Sequence, residues 1–231
     1  ISTTAPYPTG GIWRNDVTRI DEQLGIFGEI NFDLVPDLWS VSLGARYYDV
    51  EVDLIGSARG GFGSKDNNGD GNMPAPVLNP TANNLTTLFS TAGAGPDKAT
   101  ADGWIPKVSL SYTPTENRLY YATYSEGFRP GILNRPGGTV SGNYTVPYAV
   151  ATDEVNNYEL GWKFTSDDRR LRFNGNAFFV EIEKLQTTIF DPSIANLFFS
   201  ENAADAEVYG LEGDLTYLPP SIEGLTLTGS F

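Results

Sequence analysis

Between Leu24 and Phe32 the side chains alternate in character with one exception. Leu24, Ile26, Gly28, Ile30 and Phe32 fall on one face of an extended strand, and Gln23, Gly25, Glu29, Asn31 and Asp33 on the other, with Phe27 among them. After Val35-Pro36-Asp37 the pattern resumes, with Trp39, Val41, Leu43, Ala45 and Tyr47 against Ser40, Ser42, Gly44 and Arg46. Val108, Leu110 and Tyr112 repeat it, and Pro114-Thr115-Glu116-Asn117 turns the chain into Leu119–Phe128. Tyr158, Leu160, Trp162 and Phe164 alternate with Glu159, Gly161 and Lys163; Leu171, Phe173, Gly175, Ala177 and Phe179 alternate with Arg172, Asn174 and Asn176. Tyr209, Leu211, Gly213, Leu215 and Tyr217 alternate with Gly210, Glu212, Asp214 and Thr216, and Leu225 and Leu227 follow beyond Pro219-Pro220. A period of two recurring about eight times predicts an all-β chain of antiparallel strands.

The connections carry as much information as the strands. Short turns near Val35, Pro114, Ser166 and Pro219 alternate with long excursions over 53–103, 129–153 and 185–205. Long structureless loops are uncommon in compact soluble domains. Falling at every second connection, they predict an up-and-down transmembrane β-barrel with tight turns at one end and long extracellular loops at the other. Aromatic placement agrees. Trp39, Tyr112, Phe164, Phe173 and Tyr217 lie near the short turns, and Trp104, Tyr158, Phe179 and Tyr209 toward the opposite strand ends. Two aromatic rows around an aliphatic band suit a bilayer, whose headgroup levels attract amphipathic rings. The competing reading places these rings in the core of a soluble β-sandwich.

Composition narrows the chemistry. No apolar run is long enough for a transmembrane helix, which does not exclude a membrane protein, since a transmembrane strand needs only about 9–11 residues with one apolar face. The formal net charge of -14 excludes a nucleic-acid surface. With neither Cys nor His, the 231 residues hold no disulfide, no Cys or His metal site and no His-based nucleophile pair, so catalysis would have to rest on carboxylates, Lys, Tyr or a metal held by oxygen; the expectation is a protein that is not an enzyme. The start, ISTTAPYPTGG, lacks a basic region followed by an apolar one. Either an export signal has been cleaved or the chain begins inside its parent.

Candidate binding residues lie in the long loops. Arg129, Arg135, Tyr144 and Tyr148 suit an anionic, aromatic ligand through charge-assisted bonds and stacking, or else pack the loop or touch lipid headgroups. Phe190 and Phe198 belong to an apolar cluster that floors a pocket or folds its loop on itself. Asp66, Asn68 and Asp70, followed by Gly71, match the opening of a calcium loop, but Val77 stands where the bidentate Glu belongs. A flexible polar loop is the expectation there and no cofactor is expected, calcium clamping an outer loop being the alternative. On the polar strand faces, Glu29, Arg46, Glu159, Lys163, Arg172, Glu212 and Asp214 are expected to line a wet lumen.

Three segments resemble the barrel of TonB-dependent outer-membrane receptors. They are IPKVSLSYTPTENRLYYATYSEGFRPG from Ile105 to Gly131, DEVNNYELGWKF from Asp153 to Phe164, and NAADAEVYGLEGDL from Asn202 to Leu215. The resemblance implies a Gram-negative outer-membrane location amid lipid and lipopolysaccharide, and a barrel of roughly 22 strands. It also implies a plug that TonB engages and a scarce ligand, most often an iron chelate such as a ferric siderophore. No plug-like segment or TonB-docking motif is visible, so the chain is expected to be about eight strands of a larger barrel; a complete small barrel is the competing architecture. The functional rivals are a passive porin, a secreted sandwich binding module and an outer-membrane hydrolase.

Overall fold

A computed structural model describes residues 13–60, 98–134, 147, 149–191 and 198–231. In chain order the strands are β1 (Trp13–Val35), β2 (Trp39–Gly60), β3 (Lys98–Thr115), β4 (Arg118–Arg129), β5 (Ile132–Leu133), β6 (Ala149–Val150), β7 (Asp153–Thr165), β8 (Leu171–Ile189), β9 (Phe199–Tyr217) and β10 (Leu227–Ser230). Eight of them form one sheet in the order β1-β2-β3-β4-β7-β8-β9-β10, and every pairing in it is antiparallel. β5 and β6 make a separate two-stranded ribbon. Among the described residues β1 and β10 each keep one unpaired edge, so the sheet is an open part of a barrel.

The four short connections lie together at one end. Backbone bonds link each turn to the next: Thr113 N–H donates to the Leu38 carbonyl (2.8 Å), Thr165 N–H to Asn117 (2.9 Å) and Leu218 N–H to Arg170 (2.8 Å). Asp37 and Arg169 take positive φ (60° and 56°), as tight reversals require. In the β7–β8 turn the Ser166 hydroxyl donates to Asp168 (2.5 Å) and accepts from Leu171 N–H (2.9 Å).

Register puts the alternating residues on two coherent faces. Ile30, Leu43 and Val108 are successive cross-strand partners, as are Tyr120, Trp162 and Gly175, and Tyr158, Phe179 and Tyr209. This apolar face is bare: Ile26 is 61%, Leu160 63% and Leu211 64% exposed. In a sandwich these would be core positions, and no second sheet covers them among the described residues. Five cross-strand partnerships seat a large side chain on a glycine. Tyr48 lies over Gly103, Tyr121 over Gly161, Trp162 over Gly175, Phe178 over Gly210 and Phe231 over Gly213.

Beyond the expected strand ends the pairing continues. β2 runs to Gly60, β3 starts at Lys98, β8 extends to Ile189 and β9 starts at Phe199, so the loops expected over 53–103 and 185–205 begin with paired strand. The physical reason is a change of phase. Up to Tyr47 the apolar residues of β2 share the face of Leu43; beyond it Asp49, Glu51 and Asp53 occupy that face, and Val50, Val52 and Leu54 point the opposite way. On β8, Glu181 and Glu183 likewise follow Phe179 while Val180 and Ile182 take the other face. Read as one alternation, the pattern ends there; read as two of opposite phase, the strand goes on.

Candidate functional site

The inverted stretch is explained by what covers it. The ribbon β5–β6 folds back over the sheet on the side opposite the bare apolar face. Leu133 (7% exposed) joins Val52, Leu54 and Ala99 in the buried cluster of the described chain, with Ala149 against it, and Val150 is 2% exposed. Burying side chains of this size contributes about 1.5–3 kcal/mol each. The core of the described chain therefore sits at the loop end.

Polar bonds fix the ribbon at both ends. At its base Arg129 makes an ion pair with Asp153, whose side chain is 3% exposed; Nε donates to Oδ2 (2.9 Å), the Arg129 N–H donates to Oδ1 (3.0 Å), and Nη2 also reaches the Gln186 carbonyl (3.0 Å). Gln186 Nε2 donates to the carbonyls of Pro130 (2.9 Å) and Ala151 (3.0 Å). Asn202 accepts from Ala151 N–H (2.8 Å) and donates to the Ala151 carbonyl (3.0 Å). Farther in, Asn134 (4% exposed) donates to the carbonyls of Pro147 (2.6 Å) and Ser200 (2.8 Å) and accepts from Ser200 N–H (2.6 Å). At Gly131 only glycine fits, because a Cβ would lie 2.5 Å from the Val150 carbonyl. Buried polar groups are costly unless bonded, and this network satisfies them while stitching the ribbon to β8 and β9.

Of the candidate binding residues, Arg129 is thus committed to this clamp. Phe190 and Phe198 face each other across the β8–β9 connection with ring centroids 4.8 Å apart, and both are exposed (46% and 55%). Arg135, Tyr144, Tyr148, Asp66, Asn68 and Asp70 lie outside the described residues. Sequence reasoning missed Asp153, Gln186, Asn134 and Asn202, whose roles depend on contacts across up to 66 positions of chain.

The seven polar-face candidates, Glu29, Arg46, Glu159, Lys163, Arg172, Glu212 and Asp214, all share the face opposite Leu160 and Leu211. Four of them have side-chain neighbours: Lys107 donates to Glu29 (3.2 Å), Asn157 to Glu159 (2.9 Å) and Asn174 to Asp214 (3.2 Å), while the Arg46 guanidinium lies over Gly25. The aromatic rows occupy the other face. Toward the turns, Trp39 stacks on Tyr112 (4.5 Å) and Trp162 meets Phe173 (5.5 Å); toward the loops, Tyr47 meets Trp104 (5.3 Å) and Tyr124 meets Tyr158 (5.1 Å).

A bare apolar face bounded by two aromatic rows, a polar opposite face and an up-and-down meander define part of a transmembrane β-barrel. Residues 2–231 match the family model described as TonB dependent receptor-like, beta-barrel. The chain belongs to that family, whose members are transport receptors of the Gram-negative outer membrane rather than enzymes. Solved structures with similar folds include the ferric yersiniabactin uptake receptor of Yersinia pestis (15% identity, 88% of this chain and 25% of that one, TM-score 0.58). The FrpB iron transporter of Neisseria meningitidis is another (15%, 92% and 25%, 0.55), as is the copper transporter OprC (12%, 88% and 26%, 0.57). The chain spans about a quarter of the length of these structures.

Proposed function

We propose that this chain is a wall segment of a TonB-energised uptake receptor whose cargo is a chelated metal, a ferric siderophore first among them. The polar face lines the lumen and the bare apolar face meets lipid, because hydrocarbon solvates neither charge nor unpaired backbone. The clamped ribbon then hangs inside the outer mouth, and Phe190 and Phe198 stand at the rim as a stacking surface for an aromatic or planar ligand. TonB acts through a plug outside this chain, and lipid and lipopolysaccharide surround the wall.

The observation that carries the choice of cargo is the ligand chemistry the chain lacks. It has no His, no Cys and one Met, so these strands offer almost none of the soft or imidazole donors that capture a bare transition-metal ion such as copper. Hydroxyl, amide, carboxylate and aromatic groups suit a chelate that brings its own metal ligands. Uptake of radiolabelled ferric chelates into cells with and without the receptor, in strains with and without TonB, tests the reading. Receptor- and TonB-dependent iron uptake is expected. TonB-independent passage, or accumulation of copper alone, overturns it.

A further inference from the structure

We propose that the apolar face binds one phospholipid of the periplasmic leaflet, its phosphate held by Arg118 and one acyl chain lying in a trough above it. The proposal rests on the reading that this face meets the bilayer. Arg118 opens β4 at the turn end and is the register partner of Phe164 on the apolar face. Its guanidinium lies 5.6 Å from the centre of the Phe164 ring, and among the described residues it forms no ion pair. A guanidinium braced on a ring at the headgroup level, with its donors free, suits a phosphate.

The surface above Arg118 is recessed rather than flat. Ala122, Leu160 and Ala177 are successive cross-strand partners, so small side chains flank the leucine where the neighbouring levels carry rings. Two concavities result, of about 420 Å³ toward Trp162 and about 570 Å³ toward Phe179. Both include Leu110, Ala122, Leu160 and Ala177, which makes them one continuous trough. From Arg118 to Tyr124 the strand rises about 20 Å. At a tilt of about 45° that is about 14 Å of depth, one leaflet of a hydrocarbon core about 30 Å thick. The trough therefore has the reach of a single acyl chain hanging from a phosphate at Arg118.

Native mass spectrometry of the intact receptor after detergent exchange tests the site. One retained phospholipid per barrel is expected. Arg118→Gln, or Ala122→Leu with Ala177→Leu to fill the trough, should lower the retained fraction about tenfold, equivalent to about 1.4 kcal/mol. Leu215→Ala, on the same face outside the trough, should retain lipid as the parent does. Equal retention in all variants overturns the proposal. So does displacement of the lipid by millimolar inorganic phosphate, which would mark a free-anion site, and so does a dimer in place of the lipid that the variants dissolve. Quenching of tryptophan fluorescence by brominated-acyl phospholipid in vesicles is read alongside. Strong quenching in every variant upholds the lipid-facing assignment whatever the retention shows, and its absence in the parent receptor would take down that assignment with the proposal.

Discussion

Gly161→Ala is the smallest change that tests how the strands meet. Gly161 sits on the polar face of β7, paired across the seam with Tyr121 of β4. A Cβ built at Gly161 overlaps the Cζ, Cε1 and Oη atoms of Tyr121, and all three nearest atoms belong to that one ring. The added methyl must expel the phenol or spread the seam. Overpacking of this kind costs about 1–3 kcal/mol. Against it stands a gain of about 0.4–1 kcal/mol from the stiffer unfolded chain. A net loss of about 1.5 kcal/mol is expected, roughly tenfold in the folding equilibrium. The same insertion at Gly127, where the nearest atom is Val155 Cβ at 3.9 Å, should be neutral or slightly stabilising. Adding Tyr121→Ala should cancel the Gly161→Ala penalty, giving a coupling of about 1–3 kcal/mol. Gly175→Ala should behave differently. Its Cβ would meet Trp162 Cζ2 at 2.6 Å and also the Glu212 carbonyl at 2.8 Å, so removing the indole cannot restore the space. Denaturant midpoints of the receptor folded in lipid vesicles provide the measurement. The reasoning fails if Gly161→Ala matches Gly127→Ala, or if loss of the Tyr121 ring brings no recovery.

Other expectations address the faces, the clamp and the turn. Leu160→Arg should destabilise the barrel in vesicles by about 2–4 kcal/mol if it lies near the midplane, whereas an equal midpoint for Leu160→Arg and Glu159→Arg would contradict the lipid-facing assignment. Asn134→Ala leaves the Ser200 N–H and two carbonyls without partners and should cost about 1–3 kcal/mol locally, seen as faster amide exchange over 129–134 and 149–153; unchanged exchange would mean the ribbon does not depend on this residue. The Ser166 hydroxyl, then the Arg170 N–H, hold the Asp168 carboxyl below its ordinary value of 3.8. Its contribution to the turn is fully present above that value and is lost as pH falls through the lower folded one, so protection of the turn should fall as the pH drops below 3.8. Asp168→Asn should flatten that dependence, and an identical acid profile in the variant would refute the linkage. Protease added to intact cells should spare the turns at Glu116–Asn117 and Asp167–Asp168, and cleavage there would reverse the topology.

What the sequence disclosed was whatever a period of two can encode. Ile26, Leu43, Leu160 and Leu211 advertised their common face because each strand repeats the same two-sided environment through its apolar band. The turns at Pro36 and Ser166 were equally legible from local residue chemistry. The outer strand extensions were not, because Val50, Val52 and Leu54 are apolar toward the ribbon, an element too short to announce itself. Arg129 looked like a ligand-binding rim residue because its partner Asp153 lies 24 positions away and Gln186 farther still. Side chains that act through distant backbone carbonyls leave no periodic trace.

The rings seated on glycines also decide which pairings of the strands are allowed. A slip by one residue turns the apolar face inward and is excluded by solvation alone. A slip by two keeps every side chain on its proper face, so hydrophobicity cannot detect it. It would, however, drive Tyr48, Tyr121, Trp162 or Phe178 onto a residue with a side chain where Gly103, Gly161, Gly175 or Gly210 now receives it. These pairs sit on four seams of the sheet, each like the wards of a lock that admit one alignment. The stagger of strands that sets a barrel's girth is thus written in glycines, and a family member that moved one of them without its ring would be free to close at another width.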